Sequence, residues 1–371
     1  MLSRQDFESW MRRDRIGIAP HALLYSLSVI YGAIVRLRLL LYRAGVLRTK
    51  RVPCPVISVG NVTVGGTGKT PVTIFIASLL KESGKRVAVL SRGYKRGGKS
   101  IETVSDGRVI LLGPDMAGDE PYLIAKRLQG VPVVVGADRV GAALYAIERF
   151  SPDVIILDDG FQHIRLERDL NILLTDSING FGRYLLPRGI LREPVEGIRR
   201  AGLVMGRGLS GKPDMELIER FKLPVMEYSY RATGLVDVAD GSSKGVESIK
   251  GRKVIALCAI ANPESFFSSL EGLGATVTDK AIFPDHHGYT QTDLNAVMGG
   301  QQPSSQMIIT TEKDAVKLEG LNIPKASVYA LAIDVHTTER ERLKGQLISI
   351  AGRGDRGGAK AGGERGPGGR A

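Results

Sequence analysis

The chain has 371 residues, of which 43% are apolar, and this length predicts two domains, each with a buried core. Its two cysteines, Cys54 and Cys258, exclude a disulfide framework and multi-cysteine zinc sites, and they are typical of a reducing, cytosol-facing compartment. The net charge is +12, but residues 1–51 carry +7 and the last twenty residues carry +3. The body between them is nearly neutral, which argues against nucleic acid as a partner.

The N-terminal segment, residues 1–50, contains an uncharged run of 14 residues from 22 to 35, and arginines follow it. The run is shorter than the roughly 20 residues of a spanning helix, and no small-residue cleavage site follows, so neither spanning nor export is favoured. At helical spacing one stripe holds Leu23, Leu27, Ile30, Ile34, Leu37 and Leu41, and the other side holds Ser28, Gly32, Arg36 and Arg43. The pattern predicts a basic amphipathic helix that either lies in a bilayer interface or packs on the protein's own core.

A glycine-rich loop follows the first apolar run, which spans residues 55–60 and reads as a buried strand. The loop consists of Gly65, Gly66, Thr67, Gly68, Lys69 and Thr70, and a helical run begins near Thr73. Strand, glycine loop, Lys-Thr and helix is the order of a P-loop, which predicts binding of ATP or a related nucleotide. Backbone N–H groups would surround phosphate oxygens, Lys69 would reach the β and γ phosphates, and Thr70 would hold Mg²⁺. The strict pattern has a glycine where this chain has Thr63.

A second apolar run, residues 153–157, ends in two carboxylates, Asp158 and Asp159. A Walker B strand ends in the same way and would place one of them beside the Mg²⁺ held by Thr70. Alternatively, the two acids cap the following turn. Further apolar runs at residues 86–91, 131–135, 170–174 and 202–205 predict parallel strands that alternate with helices. Together these runs predict an α/β P-loop domain.

The choice of nucleotide and acceptor rests on weaker signals. A guanine-specific Asn-Lys-x-Asp loop is missing, and the nearest string, 311–314, lacks the Asn, so GTP is disfavoured. A phosphotransferase needs a general base near the acceptor hydroxyl, and Asp or His is the usual choice. The candidates are Asp119, His163, His286 and His287. Asp119 can equally be a turn residue or helix cap, and His163 a structural hydrogen-bonding residue.

Several polar strings occur together in the chain. They are Gly-Asn-Val-Thr-Val-Gly-Gly-Thr-Gly-Lys-Thr-Pro (60–71), Ser-Arg-Gly-Tyr (91–94), Gly-Asp-Glu-Pro (118–121), Asp-Asp-Gly-Phe-Gln-His (158–163), Leu-Arg-Glu-Pro (191–194), Ala-Asn-Pro (261–263), Asp-His-His (285–287) and Thr-Thr-Glu-Lys-Asp-Ala (310–315). From about residue 15 to 345 the chain resembles the tetraacyldisaccharide 4′-kinases, the lipid A 4′-kinases of Gram-negative bacteria. Thr63 belongs to the pattern of that family.

The resemblance implies transfer of the γ-phosphate of ATP, with Mg²⁺, to the 4′-hydroxyl of an acylated glucosamine disaccharide 1-phosphate. It places the protein on the cytoplasmic face of the inner membrane as a peripheral enzyme, with no obligatory protein partner, and it favours the interfacial interpretation of the N-terminal helix. It further implies a P-loop kinase core over 51–229, an extended linker over 230–250 and a smaller α/β domain over 251–350 that closes the ATP cleft. The glycine-rich remainder, 351–371, is expected to be disordered.

The resemblance also assigns roles to residues. Lys69 and Thr70 would grip the phosphates and Mg²⁺, while Asp158 and Asp159 would serve the metal and the transferring phosphoryl group. Asp119 would be the base, with His286 as its partner and His287 as a less favoured neighbour. Arg139 would stabilise the moving phosphoryl group. Contacts to the sugar or its phosphate would come from Tyr94, Glu120, Arg192 and Glu193.

Two other functions fit the motifs. A membrane-associated P-loop ATPase regulated by a protein partner would need no acceptor, and it would hydrolyse ATP when that partner is added. A non-enzymatic peripheral membrane protein with a degenerate loop would bind no ATP at all. Transfer of phosphate to a lipid acceptor separates both from a kinase.

Overall fold

The computed structural model describes residues 18–93, 96, 98, 100–176, 180–209, 213–299 and 307–352. Two sheets organise these residues, one of eight strands and one of six. Three parts of the sequence prediction lie outside the described residues. They are the predicted sugar contact Tyr94, the part of the N-terminal segment at residues 1–17, and the part of the tail at residues 353–371.

The first sheet runs in the order β3-β4-β2-β5-β1-β6-β7-β8. Its strands are β1 Val56–Gly60, β2 Val87–Ser91, β3 Glu102–Ser105, β4 Val133–Val135, β5 Val154–Asp158, β6 Leu170–Asp176, β7 Leu203–Arg207 and β8 Val225–Glu227. All neighbouring strands are parallel except the edge pair β3 and β4. Because parallel sheets are covered on both faces, β1, β2, β4 and β5 are buried along their whole length.

Helices connect these strands and cover the sheet. They are α1 Ile18–Arg43, α2 Lys69–Glu82, α3 Pro114–Ala117, α4 Asp119–Arg127, α5 Arg139–Phe150 and α6 Pro213–Arg220. A 3₁₀ turn, Val195–Arg200, precedes β7. The strands predicted from apolar runs are confirmed, and their ends differ by at most two residues. For example, β4 begins at Val133 rather than residue 131, because Pro132 has no N–H to donate to a ladder.

The second sheet has the order β10-β9-β14-β13-β11-β12. Its strands are β9 Ser229–Asp237, β10 Ser243–Lys244, β11 Lys253–Cys258, β12 Thr276–Ile282, β13 Met307–Thr311 and β14 Val328–His336. The helices are α7 Pro263–Gly272, α8 Gln291–Gly299, α9 Glu312–Leu318 and α10 Arg340–Ala351, with a 3₁₀ turn at Val246–Ile249. Segment 230–250 therefore contributes strands β9 and β10, which pair antiparallel with their neighbours in this sheet.

Helix α1 places its apolar stripe towards solvent. Leu23, Leu27, Ile30, Ile34 and Leu37 are between 43% and 63% exposed. The polar side of the helix instead packs on the protein, where the Ser28 hydroxyl donates to the carbonyl of Leu185 at 2.7 Å and Tyr31 donates to that of Arg192 at 2.6 Å. The described stretch Ala22–Arg43 is long and apolar enough to cross a bilayer by length and composition alone. It exceeds the uncharged run of 14 because the helix continues through Arg36 and Arg38.

Candidate active site

The site lies where the carboxyl ends of the central parallel strands meet. Strand β1 lies between β5 and β6, and the order of the strands reverses there. In α/β proteins such a topological switch point forms a crevice in which ligands bind. The P-loop follows β1 and leads directly into α2, which begins at Lys69. The N–H groups at the start of this helix point towards the crevice that a phosphate would occupy.

Two glycines give the loop its shape. Gly65 and Gly68 have φ values of 112° and 77°, and residues with a side chain rarely adopt such values. A Cβ at Gly68 would also lie 1.6 Å from the hydroxyl of Tyr230, which comes from β9 of the second sheet. Thr63 needs no such freedom, because it forms a β-bridge with Leu191 and accepts a hydrogen bond from Asn61 at 3.2 Å. The missing glycine therefore leaves the loop intact.

Asp158, at the end of β5, is buried between two neutral hydrogen-bond donors. Its carboxylate accepts from the hydroxyls of Thr73 at 3.0 Å and Ser91 at 3.2 Å. Burial, together with the charges of Glu120 and Asp159, raises the pKa of Asp158 to about 7. No salt bridge to Asp158 occurs within the described part of the chain. A buried carboxylate that makes no salt bridge fits a site that a cation completes.

Asp159 has a left-handed backbone, with a φ of 51°, and its carboxylate has different partners from that of Asp158. Its carboxylate accepts from Arg192 at 3.0 Å and lies 3.9 Å from Nζ of Lys69. Burial opposes ionisation, but Lys69 and Arg192 overcome it and hold the pKa of Asp159 below its usual value. Asp159 is therefore a fixed anion that holds the P-loop lysine in place.

One cavity of about 1210 Å³ joins these residues to the second sheet. From the first sheet and its helices it is lined by Lys69, Thr70, Glu120, Arg139, Asp158, Asp159, Arg192 and Glu193. From the second sheet it is lined by Ala261, Asn262, Asp285, His286 and Lys313. Residues of α1, among them Tyr31 and Arg38, form another part of the wall. The cavity is large enough for a nucleotide and part of an acceptor.

Asp119 and His286 meet at the margin of this cavity, although 167 positions separate them in the chain. Nδ1 of His286 lies 3.2 Å from Oδ2 of Asp119. Burial alone would raise the pKa of Asp119, but the hydrogen bond from His286 and the charge of Lys317 hold it below its usual value. Asp119 itself does not line the cavity wall, whereas its partner His286 and its neighbour Glu120 do. His286 adopts a φ of 62°, a strained conformation of the kind found at functional sites.

His287 points elsewhere. Its Nε2 lies 3.1 Å from Asp293, and its ring stacks on Phe283 with centroids 4.7 Å apart. It does not line the cavity around the P-loop. The structure thus separates the two adjacent histidines, and only His286 reaches the candidate base.

Two residues are largely buried, the predicted sugar contact Glu193 and the predicted catalytic arginine Arg139. Glu193 is 3% exposed and pairs through both oxygens with Arg200, at 2.8 and 2.7 Å. Arg139 is also 3% exposed, donates to the carbonyl of Gly136, and has its pKa lowered by burial to about 10. Both residues line the cavity but expose little of their side chains, so each can act on a bound ligand mainly through its charge.

Lys313 is a site residue to which the sequence argument assigns no role. Its Nζ lies 3.3 Å from Glu120, 3.5 Å from Asp285 and 3.4 Å from Nε2 of His286. The available signal was the Thr-Thr-Glu-Lys-Asp-Ala string, in which the lysine follows strand β13 and begins a helix. Sequence alone did not show which groups that lysine would meet.

Helices α4 and α9 connect the two halves of the site. Tyr122 donates to Glu319 at 2.6 Å, and Lys126 pairs with the same carboxylate. Arg127 pairs with both Glu312 and Asp334. These contacts hold α4, which carries Asp119 and Glu120, against α9, which carries Lys313.

Comparison with known proteins identifies the family. The model of the family described as Tetraacyldisaccharide-1-P 4′-kinase matches residues 20–351. The chain belongs to this family. The tetraacyldisaccharide 4′-kinase of Desulfatibacillum aliphaticivorans is 40% identical over 364 residues, which cover 93% of this chain and 97% of the relative. That of Syntrophus aciditrophicus is 43% identical over 357 residues, covering 91% and 95%.

A solved structure of the family has the same fold. The crystal structure described as the "apo" form of LpxK from Aquifex aeolicus in complex with ATP is 38% identical, with a TM-score of 0.73. The match covers 89% of this chain and 99% of that one. The predicted fold class and family are confirmed.

Membership of the tetraacyldisaccharide 4′-kinases decides among the functions that the motifs left open. The chain is an enzyme of lipid A biosynthesis, a kinase that transfers phosphate to an alcohol group, as predicted. The partner-regulated ATPase and the non-enzymatic membrane protein are thereby rejected.

His163, in the Asp-Asp-Gly-Phe-Gln-His string of this kinase, yields a prediction about stability. Burial, and then the charges of Arg139, Arg168 and Arg38, lower the pKa of His163 to about 4. The unfolded chain takes up a proton on this ring below about pH 6.5, whereas the folded chain does not until about pH 4. Stability should therefore fall as the pH drops below 6.5, by about 1 kcal/mol at pH 5 after allowance for solvent screening.

Urea unfolding at pH 7.5 and pH 5.0 measures this effect. The variant His163→Gln should lose less stability between the two pH values than the wild type, whereas His336→Gln, which changes an exposed histidine, should behave as the wild type does. Equal losses in the wild type and His163→Gln would contradict the prediction.

Proposed function

We propose that this kinase transfers the γ-phosphate of ATP to the 4′-hydroxyl of a tetraacyldisaccharide 1-phosphate, with Lys69 and Asp119 on opposite sides of the reacting groups. The main support is that one cavity is lined both by the P-loop and by His286, whose ring contacts Asp119 at 3.2 Å. The family name supplies the acceptor, and the complex of the Aquifex aeolicus relative supplies ATP as the donor.

Asp119 would act as the general base. Its lowered pKa keeps it ionised at neutral pH, and both ring nitrogens of its partner His286 are already engaged, by Asp119 and Lys313. In the reaction the hydroxyl oxygen forms a bond to the γ-phosphorus, and the bond between that phosphorus and the bridging oxygen breaks. The hydroxyl proton moves to Asp119, and ADP leaves with the electron pair of the broken bond.

Lys69 would neutralise the β and γ phosphates, and Asp159 keeps its ammonium group at the loop. Arg139, buried beside the cavity, would support charge on the moving phosphoryl group from within the wall. Such preorganised positive groups lower the barrier because charge spreads over the phosphoryl oxygens in the transition state.

Mg²⁺ is part of the proposal, with Thr70 and Asp158 as its protein ligands and Asp159 close by. No three His, Cys, Asp or Glu side chains among the described residues are arranged to hold a metal ion by themselves. That arrangement suits Mg²⁺, which usually takes one or two carboxylates and completes its shell with substrate phosphates and water. When bound, the ion would neutralise phosphate charge, and the buried carboxylate of Asp158 would gain a directly bound cation.

The acceptor would enter between α1 and the P-loop sheet. Arg192 lies beside Tyr31 of α1, and both line the cavity together with Arg38 of α1 and with Glu120, so polar groups are available for a sugar and its phosphate. The second sheet, which contributes Asn262, His286 and Lys313 to the opposite wall, would close the ATP cleft. Tyr94 remains a predicted sugar contact that lies outside the described residues.

We further propose that α1 rests in the cytoplasmic surface of the inner membrane without crossing it. Its apolar stripe is exposed, while Ser28 and Tyr31 on the other side bond to the kinase core. A helix held along the protein in this way can bury one face in lipid, and Arg36, Arg38 and Arg43 can contact anionic headgroups. The acyl chains of the acceptor could then stay in the bilayer while its sugar enters the cavity.

Vesicle binding tests the role of this helix. The triple variant Leu23→Ser, Ile30→Ser, Ile34→Ser should bind phosphatidylglycerol-containing vesicles at least about tenfold more weakly, because each change removes apolar area from the lipid-facing stripe. The matched control Val109→Ser, Leu111→Ser changes exposed apolar residues outside the helix and should bind as the wild type does. Equal binding by the wild type and the triple variant would place the membrane contact elsewhere.

The experiment that tests the function is transfer of label from [γ-³²P]ATP, with Mg²⁺, to tetraacyldisaccharide 1-phosphate in mixed micelles. Label should appear on the lipid and depend on Lys69. Label that appears only as free phosphate would contradict the proposed acceptor.

A further inference from the structure

Lys313 occupies a place between the two halves of the site. It is the second residue of α9, its side chain is 22% exposed, and it borders the cavity. Its ammonium group lies near Glu120 from α4 and near Asp285 and His286 from the loop after β12. Burial opposes its charge, but Glu120 and Asp285 more than compensate and raise its pKa. Lys313 is thus a permanent cation at the far side of His286 from Asp119.

The contacts of His286 fix where its proton lies. Asp119 is ionised and can only accept, so Nδ1 of the ring, 3.2 Å away, must carry a hydrogen. The ammonium group of Lys313 can only donate, so Nε2 of the ring, 3.4 Å away, must accept. Both contacts are satisfied by one form of the side chain, the neutral imidazole with its proton on Nδ1.

We propose that Lys313 is a positioning residue that keeps His286 in the neutral Nδ1–H form and thereby keeps Asp119 effective as a base. This inference rests on the proposed function, because it assumes that Asp119 accepts the hydroxyl proton. A neutral ring donates one hydrogen bond to Asp119 and leaves its carboxylate basic. A doubly protonated ring would form an ion pair with Asp119 and make it a weaker base.

The charged groups around His286 show why a lysine is needed there. Asp119 faces one ring nitrogen, and Asp285 lies 3.8 Å from the other. A third carboxylate, that of Glu120, lies on the other side of Lys313, 3.3 Å from its ammonium group. Lys317 contributes a positive charge near Asp119. Without Lys313, the imidazole would lie between two carboxylates, an arrangement that favours uptake of a second proton. With Lys313 in place, the adjacent ammonium group disfavours a second positive charge.

The variant Lys313→Met removes the charge while keeping a similar side-chain length. We expect its kcat to be about tenfold lower than that of the wild type at pH 7, with the deficit shrinking to less than about threefold at pH 9, because a lower proton concentration opposes double protonation of the ring. The KM for ATP should change by less than about twofold. Lys313→Arg retains a cationic donor and should keep the pH profile of the wild type, whatever its absolute rate. Lys126→Met, which removes an exposed lysine from the α4–α9 contact, should also keep that profile.

A loss of kcat that is equal at every pH, or a rise in the KM for ATP of tenfold or more, would overturn the proposal. The first would mean that Lys313 only holds the fold, and the second that it binds nucleotide phosphates.

Nitrogen NMR of the full-length protein, labelled with ¹⁵N-histidine, tests the proposal without relying on turnover. The chain has only five histidines, so the signals of His286 can be assigned by their loss in His286→Gln. The wild type should show the neutral Nδ1–H ring at pH 7.5, and Lys313→Met should show the doubly protonated ring.

A wild-type ring that is protonated on Nε2, or doubly protonated, would overturn the inference even if the enzyme transfers phosphate normally. Conversely, the expected ring form in a protein that transfers no label to the lipid would leave the placement of the proton correct and refute the proposed function instead.

Discussion

The variant Asp119→Asn is expected to transfer phosphate with a kcat about 10² to 10⁴ times lower than the wild type. Asn keeps the size of the side chain and can still accept a hydrogen bond from His286, but it cannot take the hydroxyl proton, and a general base usually contributes a factor of this size. Asp119 does not line the cavity around the P-loop, so the affinity for ATP should stay nearly unchanged. Single-turnover transfer and equilibrium ATP binding measure the two effects separately.

The chain provides a matched control for this experiment. Asp293 also bonds to a histidine, with 3.1 Å to Nε2 of His287, but this pair lies away from the cavity. Asp293→Asn should therefore keep the kcat of the wild type within about twofold. If turnover survives in Asp119→Asn, Asp119 is not the base, and a large loss in His286→Gln alone would transfer that role to the histidine.

Replacement of Lys69 by Met is expected to damage ATP binding and the chemical step together. Hydrogen bonds to charged groups contribute about 1.5–3 kcal/mol each, so the affinity for ATP should fall by about 10- to 10²-fold. The rate should fall by a further factor of about 10² to 10³, because a positive group aimed at developing charge contributes most in the transition state. Isothermal titration with ATP and the label-transfer assay give the two quantities.

Lys81→Met serves as the control for this second variant. Lys81 lies near the end of the same helix, donates to the carbonyl of Gln129 and does not border the cavity. It should leave both binding and rate within about twofold of the wild type. A Lys69→Met variant that binds ATP normally would show that the loop backbone holds the phosphates without the lysine.

Local patterns in the sequence were sufficient for the P-loop half of the fold. Apolar runs of four to six residues predicted the buried strands, and the glycine loop between β1 and α2 predicted where phosphate would bind. Asp158 and Asp159 could be placed near that loop because strand ends in a parallel sheet meet at one edge. These features depend on residues close together in the chain or on a general rule of sheet topology, so that the sequence alone determines them.

Tertiary structure decided the other half of the site. The contact between Asp119 and His286 spans 167 positions of the chain. The contact between Glu120 and Lys313 joins two helices, α4 beside the first sheet and α9 beside the second. No periodicity encodes such contacts, because they arise only when α4 packs against α9. The distinction between His286 and His287 likewise follows from the left-handed backbone of His286, which turns the two rings towards different partners.

The N-terminal helix shows the same division. Its sequence determined an apolar stripe and a basic end but left open whether the stripe would meet lipid or the protein's own core. Tertiary structure decided which side packs inward, because Ser28, Tyr31 and Gly32 fit against the segment around Leu185 and Arg192 and leave the stripe exposed. A helical pattern fixes which residues share a face, whereas the surface that the face meets depends on what the rest of the chain places beside it.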